Sequence, residues 1–180
     1  MSDPTEEVQA EAAEIDPTQM SFLEQRLRSE QNLPLGALAG VAASLAGAGA
    51  WAAITAVSGY QIGFMAIGVG VLVGYAIRVV GNGIDPIFGV VGAVLALFGC
   101  VLGNLLAVTA IVADSEGMPF LDVLLALDAD LARELMGAWF TPMDLLFYGI
   151  AAYAGYRYAF RQIAPEDVDR MLGGGAPPAS

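Results

Sequence analysis

Residues 59–85, GYQIGFMAIGVGVLVGYAIRVVGNGID, are apolar enough to enter lipid and crowded with glycine, with one arginine, Arg78, close to the end. Within them GVGVLVG is superficially similar to a phosphate-binding loop. That chemistry requires a lysine after the loop and a strand before it, and this stretch has neither. A helix of about 20 apolar residues crosses the roughly 30 Å apolar layer of a bilayer. The run is therefore read as a close-packing membrane span between two tight turns, and the rest of the chain is read outward from it.

Composition agrees with that setting. Of 180 residues, 57% are hydrophobic and 14% charged, where a soluble domain carries about 25% charged residues. Nineteen acidic residues face seven basic ones, all arginine, for a net charge of -12. Such a balance excludes a nucleic-acid footprint, which needs a basic surface. The single cysteine, Cys100, lies in an apolar run, so an internal disulfide is excluded and the thiol is expected to be inert. Histidine and lysine are absent. With no deep carboxylate pair either, no metal site, cofactor or catalytic residue is expected, and the chain is not expected to be an enzyme.

Four spans are expected, at residues 35–57, 61–80, 86–112 and 143–160. Each has a start signal: Pro34 after Asn32 and Leu33, Ser58 as a cap, Asp85 with Pro86, and Thr141 with Pro142 and Asp144. The short link 58–60 implies an antiparallel hairpin. At the turn in RVVGNGIDP, Gly81 and Gly83 are expected to adopt left-handed backbone, aided by Asn82. The fold class expected is all-α: a polytopic membrane protein with a four-transmembrane-helix bundle. A short amphipathic surface helix is expected between spans three and four, within residues 118–137, because Leu121, Leu124, Leu125, Leu131 and Leu135 share one face. The alternative for this segment is a shallow re-entrant one.

Outside that domain of residues 32–163, residues 1–31 read as an acidic, largely disordered tail carrying a short helix that uses Phe22, Leu23 and Leu27. Residues 164–180 read as a flexible tail. With four spans and a cytoplasmic N-terminus, six arginines lie inside and only Arg133 outside. The positive-inside rule then places both termini in the cytoplasm, with the chain multi-pass in a bacterial cytoplasmic (inner) membrane.

Small residues recur every four positions. Gly36, Gly40, Ser44 and Ala48 do so in the first span, flanked by Ala39, Ala43 and Gly47. Ala66, Gly70 and Gly74 do so in the second, and Gly89 and Ala93, then Gly99 and Gly103, in the third. Residues four apart share a helix side, so these stripes form grooves that admit another helix. The groove admits either a helix of the chain's own bundle or one of a partner; Gly40 is the position on which that choice turns. Among polar residues, Arg78 is read as a snorkelling anchor and Asp85 and Asp144 as helix caps. Gln61 and Asn104 either hydrogen-bond between helices or line a polar cavity in the outer half.

Residues 59–106, GYQIGFMAIGVGVLVGYAIRVVGNGIDPIFGVVGAVLALFGCVLGNLL, together with 142–161, PMDLLFYGIAAYAGYRYAFR, resemble uncharacterised small bacterial membrane proteins of four spans. The resemblance implies the four-span fold and no activity. The expected function is a structural or accessory membrane protein that contacts the lipid bilayer and assembles through small-residue faces, as a homo-oligomer or with another membrane protein. The alternative is an oligomeric channel or transporter-like protein for a small solute or cation, motivated by the acids of the outer loop.

Overall fold

The computed structural model describes residues 17–60 and 62–162, and the expectations for the two tails beyond them, and for Gln61, lie outside the described residues. Seven helices occur among the described residues, and no strand. Helix α1, Pro17–Ser29, belongs to one unit, and residues 32–161 form a second, compact one. That unit contains α2 (Leu33–Ser58), α3 (Met65–Gly81), α4 (Pro86–Glu116), α5 (Phe120–Leu125), α6 (Ala129–Trp139) and α7 (Pro142–Tyr158).

Local chemistry sets these limits. Asn32 caps α2 by accepting the Leu35 N–H at 3.0 Å, with proline in the first turn. Gly59 ends α2 in a left-handed conformation (φ 69°). Ser58 is thus the last residue of α2, and its Oγ turns to Tyr60, not to the next helix. Tight bonds from Met65 N–H to the Ile62 carbonyl and from Ala66 N–H to that of Gly63 open α3 instead. The link is therefore longer than expected and α3 correspondingly shorter. Helix α4 ends in a Schellman arrangement: Gly117 (φ 63°) donates to Asp114 at 3.2 Å and Met118 to Ala113 at 2.9 Å.

The expected four-transmembrane-helix bundle does not hold. Among the described residues only α2, with 26 residues, and α4, with 31, are long and apolar enough to cross a membrane. At 1.5 Å per residue these reach about 39 and 46 Å. Helices α3 and α7 have 17 residues each, which is about 26 Å. A third crossing exists only if α6 and α7, bent by 105° at their junction, count as one broken span. The turn after Gly59 shortens α3, and α7 ends at Tyr158, two residues before its expected limit. The expected single surface helix is also two. Asp128 Oδ1 accepts the N–H groups of Asp130 (3.1 Å) and Leu131 (2.8 Å), which starts α6 afresh after α5 has ended.

The four longest helices nevertheless pack together. Gly36 approaches Gly81, Gly40 approaches Ile77 and Gly47 approaches Val69, so α3 runs antiparallel to α2. Ser44 meets Leu95 and Gly99, and Trp51 meets Gly103, so α4 runs parallel to α2. Helix α7 returns against α4, with Gly155 on Gly92 and Tyr148 on Cys100. Trp51, Val73, Ile77, Phe88, Ala96 and Cys100 fill the centre.

Backbone bonds tie one end of this unit: Asn32 N–H donates to the Gly81 carbonyl (2.9 Å) and Arg161 N–H to the Gly83 carbonyl (2.8 Å). At the turn between α3 and α4 it is Asn82 that takes the left-handed backbone, at φ 48°, and neither Gly81 nor Gly83 does. Those glycines serve contact instead. A Cβ on Gly83 would overlap the Phe88 ring, and one on Gly81 would lie 2.8 Å from it.

Candidate functional site

The predicted packing residues fall inside the bundle. A Cβ on Gly40 would come 2.7 Å from Leu95 Cδ1 and 2.9 Å from the Ile77 side chain. Gly70 lies against the Ala151 carbonyl, and a Cβ on Gly74 would sit 2.8 Å from the Gly155 carbonyl oxygen. Both stripes named on α2 are thus taken up within the chain's own packing. The sequence reading missed the stripe that meets Gly70, Gly74 and Gly92, in which Ala151 and Gly155 of α7 and Ala159 just beyond it recur every four residues and are all buried. The same period of four that marks α2 is present there, interleaved with tyrosines.

Arg78 is half-buried near the end of α3, its guanidinium carbon 5.8 Å from the Tyr75 ring centroid, a cation–π arrangement. Asp85 occupies the N-cap position of α4 with extended backbone, but its side chain makes no capping bond. Asp144 does act as a cap. Its Oδ2 accepts from Thr141 N–H at 2.7 Å and Thr141 Oγ1 at 2.8 Å, within a capping box.

Two features lie toward the opposite end of the bundle from Arg78. The first is a buried polar layer. Tyr148 donates to the Cys100 carbonyl at 3.2 Å and engages the Asn104 side chain, tying α7 to α4. The Cys100 thiol itself donates a weak bond to the Ala66 carbonyl at 3.6 Å. One turn apart on α2, Trp51 and Thr55 are 0% and 1% exposed. Trp51 Nε1 and Thr55 Oγ1 have no hydrogen-bond partner among the described residues. A buried donor in this condition normally costs about 1–3 kcal/mol.

The second feature is a lateral cavity of about 500 Å³. Gly49, Ala52, Ala53 and Ala56 of α2 form one wall, and Leu106, Ala110, Ala113 and Asp114 of α4 another. Because the Schellman turn redirects the chain after Glu116, Met118, Phe120 and Leu124 close a third side. The space exists because the facing side chains are small; a Cβ on Gly49 would meet nothing within 4 Å. No sequence signal reported this cavity, since it depends on where α5 folds back.

Charge separates along the unit. The end defined by Gly36, Gly81 and Tyr158 carries Arg78, Arg157 and Arg161 beside Asp85. The last turn of α4 and the segment following it carry Asp114, Glu116, Asp122, Asp128, Asp130 and Glu134, with Arg133 paired to Asp130 at 2.9 Å.

No family model, curated protein or solved structure matches the chain. The resemblance to a four-span bacterial membrane family is accordingly overturned, both by this result and by the two span-length helices that replace the expected four.

Proposed function

We propose that this chain is a non-catalytic, accessory membrane protein that assembles with a second copy of itself in a bacterial cytoplasmic membrane. One observation carries the membrane part: the unit exposes many large apolar side chains, while small and polar residues are among those it buries. Leu38, Leu45, Val57, Val94, Phe98 and Leu145 are exposed, whereas Gly40, Ser44, Thr55, Gly99, Asn104 and Thr109 are buried. Soluble monomers rarely expose apolar surface on this scale, and lipid is the solvent that accepts it. The arginines at one end and the acids at the other support an orientation with the arginine-bearing end, and both termini, on the cytoplasmic side.

Self-assembly is supported by a further line of small residues on α2. Ala42, Ala46 and Ala50 recur every four positions and face outward. This face is distinct from the stripes already used within the bundle, and it lets a second helix approach closely. The filled core favours this reading over conduction through a single copy.

The test is oxidative cross-linking of Ala46→Cys, with Cys100→Ala to remove the native thiol, in native membranes. A cross-linked dimer is expected, together with a dimeric mass in mild detergent and retention in the membrane after an alkaline wash. A monomeric mass with no cross-link removes the self-assembly reading, and release by the alkaline wash removes the membrane reading.

A further inference from the structure

We propose that the cavity between α2, α4 and α5 is a lipid site that takes one aliphatic chain of an amphiphile with an amine headgroup. The proposal rests on the membrane reading above. Its volume, about 500 Å³, falls in the roughly 300–1,000 Å³ range of small-ligand sites. Its walls are almost wholly apolar: Gly49, Ala53 and Ala56 on one side, Leu106 and Ala110 on the other, with Phe120 across the end. Such a lining has nothing to offer a polar molecule along its length, and it suits a hydrocarbon chain.

The headgroup preference comes from the rim. Asp114 is the charged residue among those lining the cavity, and it is exposed. It lies in the last turn of α4, where helix carbonyls add partial negative charge. Glu116 follows at the same terminus, and Asp122 lies on α5. Among the described residues no arginine lines the cavity, and Arg133 is paired with Asp130. A phosphate-only headgroup would meet repulsion here, whereas a primary ammonium would gain a carboxylate partner. The mouth and the apolar walls therefore select the two ends of one amphipathic molecule.

The experiment places the full chain in phosphatidylcholine nanodiscs doped with a lipid carrying a photoreactive acyl chain. One arm uses phosphatidylethanolamine and the other phosphatidylglycerol with the same tails. Labelling is expected at Ala53, Ala56 and Phe120, about tenfold stronger for phosphatidylethanolamine. Gly49→Leu, which projects into open space and leaves the fold intact, is expected to abolish that labelling. Asp114→Asn is expected to keep the labelling and remove the preference between headgroups. Equal labelling by both lipids in the native chain, indifference to Gly49→Leu, or a cross-link from these positions to a second copy overturns the proposal. A chain that never enters the nanodisc overturns the membrane reading and the lipid site together; one that enters but shows no headgroup preference overturns the site alone.

Discussion

The two ends of the helical unit are built on opposite terms. At the arginine-bearing end the helices meet backbone to backbone. Gly36 faces Gly81, Gly92 faces Gly155, and two backbone hydrogen bonds, from Asn32 to Gly81 and from Arg161 to Gly83, tie the helix ends together. At the acidic end the same helices are held by side chains. Tyr148 bonds the Cys100 carbonyl, Trp51 packs on Gly103, two buried polar atoms find no partner among the described residues, and a cavity opens beside α2. Where no hydrophobic effect drives helices together, contact area and hydrogen bonding must do so. One end uses the first at close range, and the other combines both and leaves space. The closed end is the more tightly packed of the two, and the open end leaves space beside α2.

The largest effect should come from breaking the closed end. A side chain at Gly92 would run into the Gly155 carbonyl, and backbone cannot move aside as a flexible side chain can. Gly92→Leu is expected to cost more than about 4 kcal/mol, at the far end of the single-substitution range. The measurement is the unfolding midpoint in mixed micelles titrated with a denaturing detergent. A loss below about 1 kcal/mol would mean that α4 and α7 are not in backbone contact, and the contrast between the two ends would disappear.

A smaller effect of opposite sign is expected at the open end. Thr55 is buried on α2, and its hydroxyl lacks a partner among the described residues. Thr55→Val keeps the shape and removes that hydroxyl, so it is expected to stabilise the unit by about 1 kcal/mol in the same titration. Destabilisation of that size would reveal that the hydroxyl is satisfied, by ordered water or by a group beyond the described residues, and that the open end is as fully bonded as the closed one.

How far these ends could be read from the sequence follows from the range of each signal. Helix boundaries set by neighbours within four residues were legible. Asp144 closes a capping box as its spacing implied, and Asp85 with Pro86 opens α4, although the Asp85 side chain makes no capping bond. Small-residue stripes on α2, α3 and α4 were legible as packing faces, because a period of four places residues on one side of a helix. The number of spans was not. Hydropathy over residues 61–80 does not register that Gly59 and the Ile62–Met65 bond delay the start of α3. The partner of each stripe was also hidden. Whether Gly40 faces its own bundle or another chain depends on how α4 crosses α2, and nothing local to Gly40 encodes that crossing.

The smallest expected effect returns to the stretch GVGVLVG and separates these cases two residues apart. A Cβ on Gly70 would overlap the Ala151 carbonyl, whereas one on Gly68 would meet nothing within 4 Å. On the same helix, only the contact with α7 distinguishes them. Gly68→Leu removes the conformational freedom of glycine and adds surface that lipid accepts. It is therefore expected to be neutral or to stabilise by up to about 1 kcal/mol. The assembly mass in mild detergent is expected to stay that of the native chain, because the self-assembly face proposed here lies on α2. A Gly68→Leu chain that dissociates in detergent while keeping its unfolding midpoint would move the face between copies from α2 to α3. It would do so without disturbing the contacts within the unit, because the closed end depends on Gly92 and Gly155 and not on the open side of α3.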